Sequence, residues 1–331
     1  MPERHRCEIA AWPKVPTVDF KEVRYFLQVA RAGSFNRAAR ELNIAQPALS
    51  RQVRKLETSL GVDLFVRHGR GVRLTSAGSL LFEGAESIHY MVKRTTERIR
   101  AGGENLAGHV TFGVPPAAGL LIAPAAVESF RKEWPHVTLH VREGISSSLQ
   151  EWLLDRRIDV GVMHNPPPVE GFEIRPVLAE QMVLIAPRKR GIDPPFPATT
   201  KSVRLRDIVD LPLIMPGAPH SNRRLLDQAA VQHGVSLRVT LEADSVVLTK
   251  AMVKRGLGYT VLTMAAVQDD VARGELYAYP IMRPPLTNSL SIVVLRDTKS
   301  SRLVGPLTRH LEKIMRDLVV EGTWQGAVIR R

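Results

Sequence analysis

The 331 residues hold a single cysteine, Cys7. That excludes an intramolecular disulfide and a cysteine-clustered zinc site, and it predicts a reducing, cytoplasmic setting. No stretch approaches the ~18 uninterrupted apolar residues that a membrane-spanning helix requires. Residues 1–18 carry Arg4, Arg6 and Lys14 without an apolar core of signal-peptide length, so neither secretion nor membrane insertion is expected. With Pro2, Pro13 and Pro16 they read as a disordered arm. The patterns G-x-x-x-x-G-K, G-x-S-x-G and H-E-x-x-H are missing, and the ten histidines form no ligand-like pair on one helix. The run RGLGYT at 255–260 is a poor glycine fingerprint, because it precedes a strand instead of opening a helix. No catalytic residue, metal ligand or cofactor is expected, and an enzyme is the weaker class. Acidic residues are also scarce, 33 against 46 Lys and Arg, which leaves +13.

Such an excess favours a polyanionic partner. Charge alone does not separate nucleic acid from an anionic membrane surface, but its distribution says more. Between residues 19 and 74 there are 11 Lys and Arg against 5 Asp and Glu, a net +6 in a short segment. The length suggests two or more domains, and 44% apolar with 24% charged residues is an ordinary globular composition.

Inside the basic segment, residues 34–67 read SFNRAARELNIAQPALSRQVRKLETSLGVDLFVR. Ala38, Ala39 and Leu42 predict a short helix that another can cross closely, and Asn43 suits a left-handed turn after it. Pro47 fits the first turn of a second helix, where its missing N–H has no partner to lose. Leu49, Val53, Leu56 and Leu60 form one apolar stripe, which leaves Gln46, Pro47, Ser50, Arg51 and Arg54 on other faces. A helix so built fits the major groove with its N-terminal residues nearest the base edges, so Gln46, Ser50 and Arg51 are the expected readers. Ala45 stands where a cap would prefer Ser, Thr, Asp or Asn.

A preceding helix, carried by Phe20, Val23, Phe26, Leu27 and Ala30, closes the small core and ends at Gly33. Downstream, Phe65, Val66, Val72 and Leu74, punctuated by Gly61, Gly69 and Gly71, predict a two-stranded wing. Arg67, Arg70 and Arg73 are then set toward phosphates or a minor groove; a solvated hairpin tip is the plainer alternative. Leu81, Ala85, Ile88, Val92, Thr95 and Ile99 recur at coiled-coil spacing, which predicts a linker and dimerisation helix over residues 77–104 that breaks at Ala101-Gly102-Gly103. Pairing this helix with a copy of itself would set two reading helices on one face of a duplex; a single helix packed on its own domain is the alternative.

Past the break the pattern becomes βαβ, the rhythm of a parallel sheet. Strands are expected at 109–114, 137–141 and 158–163 with helices at 119–132 and 146–156. A second cycle follows with strands at 213–215, 237–243 and 259–262 and helices at 221–233 and 245–254. Residues 181–186 lead out of a first lobe, 289–295 return to it, and 301–320 form a last helix. In open α/β sheets ligands sit beyond the carboxyl ends of strands, often at helix N-termini. That rule gives Ala117, Ser146, Ser147, Ser148, Asn165, His220 and Ser245 as candidate ligand contacts, with His164 beside them. N-capping competes as the role of the serines. Arg223 is either a carboxylate partner or an exposed helix residue.

The run from Phe20 to Gly78 resembles the N-terminal domain of LysR-type transcriptional regulators. The AQPALS helix start, the LE-x-x-LG-x-x-LF run and the LT-x-AG exit occur in family order. The resemblance implies a winged helix-turn-helix domain at 19–76, α-rich in character, and then the linker helix. It implies an α/β effector domain over 108–331 of two βαβ lobes, like type II periplasmic binding proteins, with lobe I at about 108–184 and 286–331 and lobe II at about 185–285. It also implies a regulator that binds promoter DNA sequence-specifically and answers to a small-molecule, anionic co-inducer. The partners implied are double-stranded promoter DNA, RNA polymerase and further copies of this chain, a dimer through the linker helix and a tetramer beyond it; no membrane is involved. One departure concerns the residues after the first effector strand. Many relatives have a hydroxyl there, whereas this chain has Pro115-Pro116-Ala117, which removes an N–H and a side-chain donor. The competing classes are a DNA-binding enzyme and a solute-binding protein using the same cleft.

Overall fold

The computed structural model describes residues 18–68, 71–100, 108–218, 220–283, 285–298 and 302–330. The arm at 1–17, Arg70 and the break after the linker helix lie outside them. The chain divides into two compact units, Met1–Thr95 and Thr96–Arg331.

In the first unit, α1 (Phe20–Ala32) is capped by Asp19, whose carboxylate accepts the Lys21 amide at 2.8 Å, and it stops at Gly33, φ +63°. Helix α2 (Phe35–Glu41) follows, and Asn43 takes the left-handed turn at φ +54°. Helix α3 (Gln46–Leu60) starts on Ala45 with no side-chain cap. Val29, Ala38, Ala39, Leu49 and Val53 are buried together, and Phe26, Leu27, Leu56 and Leu64 form a second patch beside them. The wing is an antiparallel hairpin of β1 (Phe65–His68) and β2 (Gly71–Leu74), in register Phe65 with Leu74. Glu57 on α3 fixes its base by accepting the amides of Leu64 and Phe65 at 2.9 and 3.3 Å.

Helix α4 (Ser76–Arg100) begins in this core. Of the expected coiled-coil row, Ala85 is 1% exposed and Leu81 packs beside it, so these two belong to the domain's own core. Ile88 is 50% exposed, Val92 43% and Leu80 75%. Burial inward therefore claims the first heptad of the row, while Ile88 and Val92 of the same row and Leu80 outside it remain outward apolar surface.

The second unit is built on a mixed sheet. Strands β3 (Gly108–Val114), β4 (Val137–Glu143) and β5 (Val160–His164) are parallel neighbours in the order β4-β3-β5. A long strand, β6 (Phe172–Pro187), then serves both halves of the unit. Up to Gln181 it pairs with the returning strand β11 (Thr287–Leu295), which also pairs β5. From Met182 it pairs with β9 (Thr260–Thr263) and β10 (Leu276–Pro280). In the second half β7 (Leu213–Met215) runs parallel to β8 (Val239–Glu242) and bridges to Tyr259. A short β12 (Ala327–Ile329) closes on β6.

Helices α5 (Pro116–Glu133), α6 (Ser146–Leu154) and α10 (Val304–Val320) accompany the first half, where Phe112, Ile122, Phe130, Leu290 and Leu311 are buried. The second half carries α7 (Ser221–Gln232), α8 (Val246–Lys254) and the one-turn α9 (Gln268–Ala272) over Leu184, Ile208, Met215, Leu226 and Tyr279. Helix α5 opens three residues earlier than expected, because Pro115 and Pro116 occupy the cap and first-turn positions where proline is tolerated. Strands β10 and β12 were not expected. The first ends in a proline, and the second is only three residues long.

Candidate DNA-reading face and effector cleft

On α3 the apolar stripe is spent on the core, and the opposite face is left to solvent. Pro47, Arg51 and Arg54 are exposed, while Gln46 and Ser50 are half-buried. Neither Arg51 nor Arg54 enters an ion pair among the described residues. Lys55 does: its Nζ lies 2.6 Å from Oε1 of the buried Glu22 on α1, and that hydrogen bond, with the carboxylate's charge, raises the ammonium pKa. Lys55 thus braces the reading helix against α1. Arg73 is exposed on β2 opposite Val66, and Arg67 stands opposite Val72 in the hairpin register.

The cleft of the second unit is about 390 Å³ including its open mouth, lined by residues of both halves of the sheet. From the first half come Pro115, Pro116, Ala117, Ile145, Ser146 and His164. From the second come His220, Ser221, Asn222, Val246, Leu262, Thr263 and Ala266.

Its floor is a buried chain of polar contacts. The Ser146 hydroxyl accepts the His164 amide at 3.1 Å. The His164 Nε2 lies 2.6 Å from Oε2 of Glu180, which is 1% exposed, and the other Glu180 oxygen accepts Trp324 Nε1–H at 3.0 Å. An acid so buried requires such partners, and here both oxygens have one. On the facing side, His220 Nδ1 accepts the Asn222 amide at 3.2 Å and so caps α7. Burial first, then the field of His164 and of Arg224, outweigh Asp244 and hold the His220 imidazole below the usual histidine range.

Three asparagines join the halves behind this floor. Asn165 Nδ2 donates to Asn288 Oδ1 at 2.6 Å, and Asn288 Nδ2 donates to Asn222 Oδ1 at 2.7 Å. Asn165 sits at φ +42°, and its own side-chain oxygen accepts the Ser289 amide at 2.9 Å.

Of the expected contacts, Ala117, Ser146 and His220 line the cleft, as does His164. Ser147 is exposed, and neither it nor Ser148 lines the cavity. Asn165 is engaged in the asparagine chain, and Ser245 caps α8 by accepting the Leu248 amide at 3.4 Å. Arg223 is spent within its own half, on Asp227 at 2.9 Å and Glu242 at 2.9 Å. Sequence reasoning passed over Ser221, Asn222, Thr263, Glu180 and Trp324. Glu180 left a signal, the lone charge in the run VLAEQMVLIA, where Gln181 is the one other polar residue. Trp324 left none, because only the path of the chain after α10 brings it there.

A helix-turn-helix with a wing, followed by an α/β unit with a cleft between its two halves, defines a ligand-responsive DNA-binding regulator. Residues 20–79 match the family model for bacterial regulatory helix-turn-helix proteins of the lysR family, and residues 103–316 match the LysR substrate binding domain. The chain is 31% identical over 309 residues to the HTH-type transcriptional regulator BbuR of Bordetella bronchiseptica, covering 93% of this chain and 94% of that one. It is 27% identical over 303 residues to the nitrogen assimilation regulatory protein nac of Klebsiella aerogenes, covering 91% and 95%. Among solved structures, full-length CbnR complexed with its target DNA is similar in fold, with a TM-score of 0.70, 22% identity and coverage of 90% and 100%. The chain belongs to the LysR family and is a LysR-type transcriptional regulator, not an enzyme. Among the described residues no helix is long and apolar enough to cross a membrane.

Proposed function

We propose that this regulator reads promoter DNA through Gln46, Pro47, Ser50, Arg51 and Arg54 of α3 in the major groove, while Arg67, Arg70 and Arg73 of the wing engage the flanking backbone or minor groove. The observation that carries this is that Arg51 and Arg54, on the face of α3 that the core does not use, are exposed and enter no ion pair among the described residues. The cytoplasm is its compartment. Paired copies joined through α4, and pairs of pairs, set the reading helices on an interrupted palindrome, and RNA polymerase is the further partner at the promoter. A small molecule in the cleft shifts the arrangement of subunits, and it does so only by its differential affinity for the two arrangements. Ala117, Ser146, His164, His220, Ser221, Asn222 and Thr263 form its contacts, with Ser147, Ser148, Asn165 and Ser245 at one remove.

Selection of bound genomic fragments, followed by footprinting at two salt concentrations, tests the reading. The expected result is a two-fold-related site protected over more than one helical turn and weakened as salt rises. Diffuse protection without a preferred sequence would refute it.

A further inference from the structure

Resting on the effector reading of the cleft, we propose that its occupant is a small, singly charged carboxylate held at the first turns of α6 and α7, and that dianions and uncharged isosteres are disfavoured. Among the described residues no lysine or arginine lines the cleft. Of its two histidines, His164 faces the buried Glu180, so that pair brings no net positive charge to a ligand. His220 has committed Nδ1 to the Asn222 amide, which leaves it as a neutral imidazole with an Nε2–H to donate.

The positive potential that remains comes from the backbone. Helix α6 starts after Ile145, a side chain that cannot cap, and the structure shows no side-chain bond to its first amides. The amides of Ser146, Ser147 and Ser148 thus lack an intrahelical acceptor. Helix α8, by contrast, is closed by Ser245. At α7 the Asn222 amide is taken by His220, and the first-turn amides on either side of it remain. Each helix start acts as roughly half a positive charge, so α6 and α7 together balance about one negative charge. Helix α5 adds less, because Pro116 has no N–H to offer at its first position.

Two side chains point independently to a ligand. Ser221 is 6% exposed and Thr263 is 2% exposed; both line the cleft, and neither hydroxyl has a hydrogen-bond partner among the described residues. Each hydroxyl therefore keeps a proton to give an occupant of the cleft. The Ser146 hydroxyl, which accepts from His164, still has its proton to give. Pro115, Ile145, Val246 and Leu262 supply apolar contact for a short hydrocarbon body. A second carboxylate would lose water without finding a cation, and an amide would forgo the charge-assisted bonds.

The test uses the full-length protein with butyrate, butyramide and succinate at matched ionic strength, followed by calorimetry and thermal melting. Butyrate is expected to bind at least tenfold more tightly than either of the others. Ser221→Ala and Thr263→Val should each weaken it by about tenfold, the usual loss of a hydrogen bond to a charged group. Thr263→Val preserves volume, and circular dichroism checks that both variants fold. If butyramide or succinate binds as well as butyrate and the two substitutions weaken it, the charge class is wrong while the cleft stands as the effector site. Butyrate binding untouched by either substitution lies outside the cleft and overturns the proposal. So does no binding by any of the three, and footprinting with fractionated metabolites then judges the effector reading on its own.

Discussion

Arg51 illustrates how a single residue's role follows from what its neighbours have already taken. Leu49 and Val53 on either side of it are buried at 0% and 1% exposure, which fixes the helix rotation and turns Arg51 outward. Arg51→Ala is expected to relax base preference, with about 1–3 kcal/mol of discrimination lost at one position. Arg73→Ala should instead weaken binding evenly and lower the salt slope by about 1. Titrations of an operator and its single-base variants at two salt concentrations separate the two; an unchanged preference for Arg51→Ala removes it from the readers. Gly78 is constrained differently. A Cβ there would meet the Leu64 carbonyl oxygen at 2.1 Å, and that oxygen accepts the Thr75 amide at 3.0 Å. Gly78→Ala should cost about 1–3 kcal/mol in denaturant melts, because backbone rather than a flexible side chain has to move.

Between elements, charge ties what apolar packing leaves loose. Asp270 on α9, with a side chain 3% exposed, receives Lys250 and Lys254 from α8 at 2.8 and 2.6 Å and Arg273 at 2.8 Å. Burial alone would raise its pKa, but the hydrogen bonds from Lys250 and Lys254 more than reverse this and hold it at about 2, below the ordinary aspartate value of 3.8. Because the folded value is the lower one, the clasp stabilises fully above about pH 4 and is lost as pH falls toward 2. Asp270→Asn should cost about 1–2 kcal/mol at neutral pH, a figure held down by the solvent around Lys254 and Arg273. The gap in Tm between variant and parent should close on acidification; a gap that persists at pH 2 would show that shape, not charge, is responsible. The strand-end contact of Trp324 is the companion case. Trp324→Phe keeps most of the buried ring but leaves a Glu180 oxygen without its donor, for an expected loss of about 1–3 kcal/mol in thermal melts. No sequence pattern announces either tie: Lys250 and Lys254 reach Asp270 from another helix, and Trp324 meets Glu180 across 144 positions of chain.

For the whole molecule, the proposed pairing through α4 places the test on Ile88. Ile88→Glu sets a charge on an outward apolar position and should shift sedimentation from dimer or larger toward monomer while leaving the melting of each unit in place; an unchanged assembly would move the interface elsewhere. The helix-turn-helix, the wing and the βαβ rhythm were legible in the sequence because each depends on short-range periodicity and on turn residues such as Gly33, Asn43 and Pro47. The cleft was legible only in part. Strand ends and helix starts named Ala117, Ser146 and His220, whereas Ser147, Ser148, Asn165 and Ser245 share that local pattern but face away or serve as structural bonds. The sequence by itself determined the basic reading helix, its apolar stripe and the order of strands and helices, since these follow from spacing within a few turns. Only the tertiary structure decided that β6 runs on through both halves, that Trp324 returns to Glu180 beneath His164, and that Ser221 and Thr263 come together in the cleft, because each depends on residues brought together across long chain separations.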